Sequence, residues 1–196
     1  MTNSEAEDTR VTELALAAGS GDRRALAEFV RATQRDVWRF VAHLADVGAA
    51  DDLAQETYLR ALRSLRTFRG TSSARTWLLS IARRAVVDQI RFERARPRTV
   101  AADWVQAAEG SGGPNSGGHG SGGRGRGFEE LVETNVLLDQ LDPDRREALV
   151  LTQVLGLSYA EAAEISGCEL GTVRSRVARA REDLISRTRG QDTGTG

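Results

Sequence analysis

The sequence predicts an all-α protein: two small helical domains joined by a flexible Gly-rich linker, the second containing a helix-turn-helix. Three observations predict it. Apolar residues recur at helical spacing along most of the chain, and alternating Val-rich segments with hairpin turns are absent. Ten of the eighteen residues from Gly110 to Gly127 are Gly, a composition that cannot bury a core and that separates two stretches that can. The remaining breaks are those of helix ends: Gly48, Gly70 with Thr71, Ser72 and Ser73, Asp142-Pro143, Gly156 with Ser158, and Gly167.

In chain order, residues 1–11 are acidic and lack an apolar stretch, so they are expected as a disordered N-terminus and not a signal peptide. The first domain spans 12–97. After an apolar segment from Leu14 to Ala17, the residues Leu26, Phe29, Val30, Val37, Phe40, Val41 and Leu44 form one stripe of a helix. Beyond Gly48, Asp51 and Asp52 stand where a helix N-terminus favours acids. On a wheel of about 100° per residue, Ala54, Tyr58, Ala61, Leu62 and Leu65 share the core face of this helix. Asp52, Glu56, Leu59, Arg60 and Arg63 lie opposite, with Leu53 close by. Leucines among outward charges are either surface scatter or the anchors of a docking face, and periodicity does not separate the two. The hydroxyls after Gly70 offer an N-cap to a helix over 74–93, striped by Leu78, Ile81, Ala82 and Ala85. Pro97 ends the domain. A linker over 98–127, a second domain of four helices over 128–189 and a disordered tail over 190–196 complete the expectation.

Composition excludes much chemistry. All 27 cations are Arg, which removes Schiff-base Lys, P-loop Lys and Lys acid/base catalysis, and leaves the cation best suited to bidentate phosphate and guanine contacts. One Cys cannot form an internal disulfide, which fits a reducing cytosol. Two His and one Cys without ligand spacing predict no metal and no cofactor. No run of 18 apolar residues predicts a membrane helix, so a cytoplasmic protein is expected. The net charge of −1 conceals a division: residues 1–60 carry −4, residues 61–98 carry +8, residues 99–144 carry −6 and residues 145–196 carry +1. A block at +8 is how a polyanion site looks in sequence. A nuclease would need clustered carboxylates or His, but the block has only Asp88 and Glu93, and His43 and His119 are isolated. No enzyme is expected.

Within the block, Arg75, Arg83, Arg84, Arg91, Arg94, Arg96 and Arg98 surround the apolar stripe. Such arginines supply salt-sensitive affinity for phosphates. The loop Arg69, Gly70, Thr71, Ser72 and Ser73, next to Phe68, can hold an unstacked base through hydroxyl and backbone groups. Trp77 reads as core more than as a stacking platform. In the second domain, Ser158 to Arg181 reads as a helix-turn-helix. Ala163 lets two helices cross closely, Gly167 takes the turn, and Val173, Val177, Ala180 and Leu184 form the core face of the second helix. Ser175, Ala178 and Glu182 point away, between Arg174 and Arg181 on one side and Arg176 and Arg179 on the other, as a helix seated in a major groove requires. Cys168 reads as packing.

These residues, in this order, resemble the bacterial RNA polymerase sigma factors of the extracytoplasmic-function class, over residues 14–189. ADDLAQETYLRAL (50–62) is similar to the family's polymerase-binding segment, SSARTWLLSIARRAVVDQIR (72–91) to its promoter-melting and −10-recognition segment, and residues 141–181 to its −35-recognition domain. QRDVWRFVAHLADVGAADDLAQET and LTQVLGLSYAEAAEISGC resemble the sigma-C type of actinobacteria in particular. The resemblance implies that Asp51, Asp52, Leu53, Gln55, Glu56 and Leu59 bind the coiled coil of the largest subunit of core RNA polymerase. It implies that Arg69, Gly70, Thr71, Ser72 and Ser73 capture a −10 base, with Arg75, Arg83, Arg84 and Arg91 on the strand or adjoining duplex. Thr172, Arg174, Ser175, Arg176 and Arg179 would face the −35 element. An anti-sigma factor is a common partner in the class. One departure stands out: many members place a large aliphatic before the turn Gly, where this chain has Ser166. The rival reading, a stand-alone helix-turn-helix regulator, explains 158–181 but neither the acidic leucine face nor the +8 block.

Overall fold

A computed structural model describes residues 3–95 and 124–192. Eight α-helices appear among them, and no strand. The first domain is built from α1 (Asn3–Gly19), α2 (Arg23–Leu44), α3 (Ala50–Ser64) and α4 (Ala74–Ala95). The second is built from α5 (Arg124–Leu138), α6 (Pro143–Leu149) with a π-helical extension over Val150–Val154, α7 (Tyr159–Ser166) and α8 (Leu170–Asp192).

The described helices run past three of the expected boundaries. Residues 3–11 are helical, because Val11 is buried in the core and α1 extends N-terminally from that anchor. The helix of the second domain begins at Arg124, inside the expected linker, and α8 runs on to Asp192, inside the expected tail. Helices propagate cheaply past a packed core once nucleated, even across Gly. Arg96, Arg98, His119 and the Gly-rich run up to Gly123 lie outside the described residues, as do 193–196.

The first core forms around α2. Asp22 caps it, its carboxylate accepting from the backbone N–H groups of Arg24 and Ala25 at 2.8 and 3.1 Å. Ala25, Phe29, Thr33, Val37, Phe40 and Val41 follow at intervals of three and four and are buried. Truncating either phenylalanine to Ala would cost about 3–5 kcal/mol. Tyr58 of α3 meets Thr33 there, the two hydroxyls 2.8 Å apart, and burial pushes the phenol up to about 12. Helix α4 closes the layer with Leu78, Leu79, Ile81, Ala82, Ala85 and Val86. Trp77 is half-buried, with its ring centroid 4.8 Å from that of Phe68.

In the second domain, Asp142 caps α6 with Pro143 at the first position, the place where a missing N–H costs nothing. A capping box starts α7: Ser158 Oγ accepts from the Glu161 N–H at 3.2 Å, while the Glu161 carboxylate accepts from the Ser158 N–H at 2.9 Å. Gly167 ends α7 at φ 65° and ψ 39°, a left-handed conformation that a Cβ would strain. The chain then turns into α8, whose Val173, Val177 and Ala180 are buried. Thus α7 and α8 form the helix-turn-helix.

The two domains pack on one another, α4 against α7 and the end of α2 against α5 and α6. Polar contacts hold them, several of them to carbonyls at helix ends. The carbonyls of Ala42 and His43, among the last of α2, accept from Asn135 Nδ2 at 2.8 Å and from Arg146 Nε. The carbonyl of Leu155, just past the π-helical turn, accepts from Arg75 Nη2 at 2.7 Å. Each domain therefore satisfies helix-end groups of the other.

Candidate functional site

Three surfaces carry the sequence-predicted residues. The first is the outward face of α3. Asp51, Asp52, Gln55 and Leu59 are exposed, but Leu53 is only 5% exposed and belongs to the core. It packs inward, away from the exposed face to which the resemblance assigns it. The helix is rotated from the wheel prediction, so that Ala50, Leu53, Thr57 and Ala61 face inward. The wheel fails because it treats Thr57 as polar. Thr57 is fully buried, its hydroxyl donating to the Leu53 carbonyl at 2.7 Å, which frees it to sit in the core. The same rotation moves Leu62 out of the core face assigned to it. Leu59 and Leu62 are 44% and 43% exposed and stand one helical turn apart. Leu62 is the residue that sequence reasoning missed, and its signal was the spacing to Leu59.

Two acids of this face already have partners. Asp51 accepts from Trp38 Nε1 at 2.8 Å, which fixes the start of α3 against α2. Glu56 accepts from Arg60 Nε at 2.7 Å, and Arg60 also binds Asp88 of α4 at 2.6 Å. Asp52, Gln55, Leu59 and Leu62 remain as a face of two polar groups beside two apolar ones.

The second surface is the loop before α4 and the arginines of that helix. Gly70 sits at φ 69°, over the side chains of Thr12 and Leu16 of α1. Arg69 donates to the Arg66 carbonyl at 3.2 Å. Ser73 caps α4 by accepting from the Thr76 N–H at 3.1 Å, and Thr12 Oγ1 accepts from the Ala74 N–H at 3.0 Å. Thr71 stays exposed and Ser72 half-buried. Arg84 and Arg91 are exposed. Arg75 and Arg83 are not free: Arg75 Nε donates to Asp36 at 2.7 Å and Arg83 Nε to Glu147 of α6 at 2.7 Å. The same Glu147 oxygen accepts from Ser166 Oγ at 2.6 Å. This explains the small polar residue before the turn Gly: a buried carboxylate in α6 needs a donor from α7 as well as the arginine. Nearby, burial pushes the Asp8 carboxyl up, against the pull of Arg75 and with the push of Glu161 and Asp36.

The third surface is α8. Arg174, Ser175 and Arg179 are exposed, and Thr172 is half-buried. The Arg174 guanidinium lies 6.0 Å from the Tyr159 ring centroid, at the edge of cation–π range. Arg176 is drawn back: it donates to Asp144 of α6, and to Cys168 Sγ at 3.6 Å. Arg181 donates to Gln153 at 2.8 Å. Among the described residues no cluster of His, Cys, Asp and Glu could hold a metal ion, and no helix is long and apolar enough to cross a membrane.

Comparison with known proteins places the chain in a family. Residues 29–96 match the family model Sigma-70 region 2, and residues 132–184 match Sigma-70, region 4. The chain is 52% identical over 186 residues to the ECF RNA polymerase sigma factor SigC of Mycobacterium tuberculosis, covering 95% of each. It is 33% identical over 165 residues to the ECF RNA polymerase sigma-E factor of Escherichia coli K12, covering 84% of this chain and 86% of the other. Among solved structures it is similar to CnrH in complex with the cytosolic domain of CnrY, with a TM-score of 0.69, 25% identity, and coverage of 92% and 98%. It is also similar to the sigma factor RpoE in complex with the anti-sigma factor NepR from Bartonella quintana, with a TM-score of 0.60, 29% identity, and coverage of 81% and 93%. The chain belongs to the extracytoplasmic-function sigma factors of the sigma-70 family.

Proposed function

We propose that the three surfaces divide the work of promoter-specific transcription initiation. The outward face of α3, with Asp52, Gln55, Leu59 and Leu62, docks on the coiled coil of the largest polymerase subunit, apolar anchors flanked by polar groups. The loop from Arg69 to Ser73 takes a base of the unpaired −10 strand, and Arg75, Arg83, Arg84 and Arg91 hold phosphates beside it. Helix α8 enters the major groove of the −35 element, with Arg174, Ser175 and Arg179 foremost and Thr172 at its start. The protein performs no bond chemistry itself and works where the polymerase does, in the cytoplasm. The RpoE relative is solved in complex with an anti-sigma factor, and a partner of that kind here would cover these faces.

The observation that carries this reading is the pairing, in one small domain, of an exposed leucine-bearing face on α3 with an arginine-bearing helix α4. A stand-alone DNA reader has no use for the first. In the described arrangement Arg75 and Arg83 are engaged by Asp36, Leu155 and Glu147, so promoter contacts must replace those bonds. Run-off transcription across genomic DNA, with core polymerase and this chain, tests the reading. Discrete new start sites are expected; their absence, with the chain shown folded, would discard it.

A further inference from the structure

The joint between the end of α2 and the second domain contains a titratable group that neither DNA nor polymerase binding explains. His43 is 2% exposed. Its Nδ1 lies 2.7 Å from Asn135 Oδ1. The amide of Asn135 is oriented by its other end, because Nδ2 donates to the Ala42 carbonyl. Oδ1 must therefore accept, and Nδ1 of His43 carries the hydrogen. In the neutral ring Nε2 is then the unprotonated nitrogen, and a second proton must go there. Arg146 bridges the same place, donating to the His43 carbonyl and to Asp139.

We propose that His43 is a proton-sensitive latch: the closed joint buries a neutral ring, and a second proton on Nε2, which burial opposes, favours parting of the domains and exposes Arg75 and Arg83 of α4. The inference depends on the packed arrangement of the domains and on the −10 role of α4, but the latch itself needs neither DNA nor polymerase.

Charges of both signs come from the elements that meet at the joint. Arg39 and Asp46 come from the α2 side, Asp139 from the end of α5, Arg146 and Glu147 from α6, and Arg83 from α4. The π-helical segment Val150–Val154 contributes none. Arg146 is paired with Asp139, and Arg83 with Glu147. Burial lowers the His43 pKa first, the Asn135 hydrogen bond raises it, and Arg39 and Arg146 lower it further. The net direction is down. When the domains part, the ring meets water and returns toward its ordinary value of about 6.5. Closing therefore expels a proton. The closed form is fully favoured above that ordinary value and loses its advantage as pH falls below it, by about tenfold per unit of difference between the two states.

The test uses the full chain with dyes on cysteines placed at Arg31 of α2 and Glu182 of α8, both exposed, in a Cys168→Ser background. Energy transfer between them is read from pH 8 to pH 5, with circular dichroism followed in parallel. The expected result is constant transfer down to about pH 6.5, then a reversible fall while helix content holds. His43→Gln, which offers a hydrogen-bonding amide without a titration, flattens the curve. Asn135→Ala, which removes two hydrogen bonds of the joint, lowers transfer at every pH. An equal fall in His43→Gln would assign the effect to another group, such as the raised Asp8 carboxyl, and overturn the latch, as would an unchanging wild-type curve. A failure here leaves the transcription reading standing, because that is judged by run-off products.

Discussion

Two helices of the first domain, α3 and α4, present their functional faces in opposite conditions. On α3 the candidates Asp52, Gln55, Leu59 and Leu62 stand open. On α4 the candidates Arg75 and Arg83 are already bonded, to a carboxylate and a carbonyl in one case and to a carboxylate in the other. The difference follows from chemistry. An apolar side chain at a surface can be satisfied only by a partner that excludes water, and nothing within the described chain does so for Leu59 and Leu62. An Arg fork is satisfied by any correctly placed oxygen, so Glu147, Asp36 and the Leu155 carbonyl can stand where phosphate oxygens would. One face has no partner among the described residues; the other has internal acceptors that, on the proposed reading, phosphate oxygens would displace.

The sharpest way to break this comparison is along α3 itself. Leu53→Arg forces a charge into the first core and is expected to cost about 3–5 kcal/mol or more, enough to unfold a small domain. Leu59→Arg and Leu62→Arg, on the open face, should leave the thermal transition within about 0.5 kcal/mol of wild type and abolish co-purification with core polymerase. Thermal denaturation and pull-down together decide it. If Leu62→Arg retained full polymerase binding, the rotated face would not be the docking surface.

A middle-sized effect is expected at the substitution of a carboxylate for phosphate. The Arg83–Glu147 pair is well shielded and shares its acceptor with Ser166, so its loss should weaken domain packing by about 1–3 kcal/mol. Glu147→Gln keeps the shape and removes the charge. In the isolated full chain it is expected to raise affinity for a single-stranded −10 oligonucleotide several-fold, because Arg83 is released to the strand. Fluorescence anisotropy measures this. Equal affinity in wild type and variant would mean that the internal acceptor does not compete with DNA.

How far the sequence could be read depends on which interactions are local. The helices, their caps at Ser73 and Ser158, and the turn at Gly167 were legible because each is set by residues within four positions of one another. The core stripe of α8 was legible for the same reason. The facing of α3 was not, since Thr57 buries a polar atom by bonding to its own helix, which a binary pattern cannot register. Nor were the contacts of Asn135, Arg146 and Glu147. Their bonds to the first domain join residues 64 to 103 positions apart, and the isolated reading of His43 gave no hint of Asn135. Candidate residues could be named, but whether each was free could not.

The smallest effects should separate the arginines of α8, where the same contrast recurs within one helix. Arg174 and Arg179 are exposed, whereas Arg176 is held by Asp144 and Cys168. A free arginine that neutralises one phosphate adds about one unit to the salt dependence of duplex binding. Arg174→Ala and Arg179→Ala should each lower that slope by about one unit and weaken binding to a −35 duplex. Arg176→Ala should change the slope by much less, because Asp144 already compensates the charge. Its main consequence is structural: Asp144 loses its partner at the start of α6, where the helix dipole still favours an acid, so the cost stays within about 1 kcal/mol. Titration of the isolated chain against a −35 duplex at several salt concentrations gives all three slopes. If Arg176→Ala removed a full unit, Arg176 would have to leave Asp144 for a phosphate on binding, and α8 would belong with α4 as a face whose arginines are borrowed until DNA arrives.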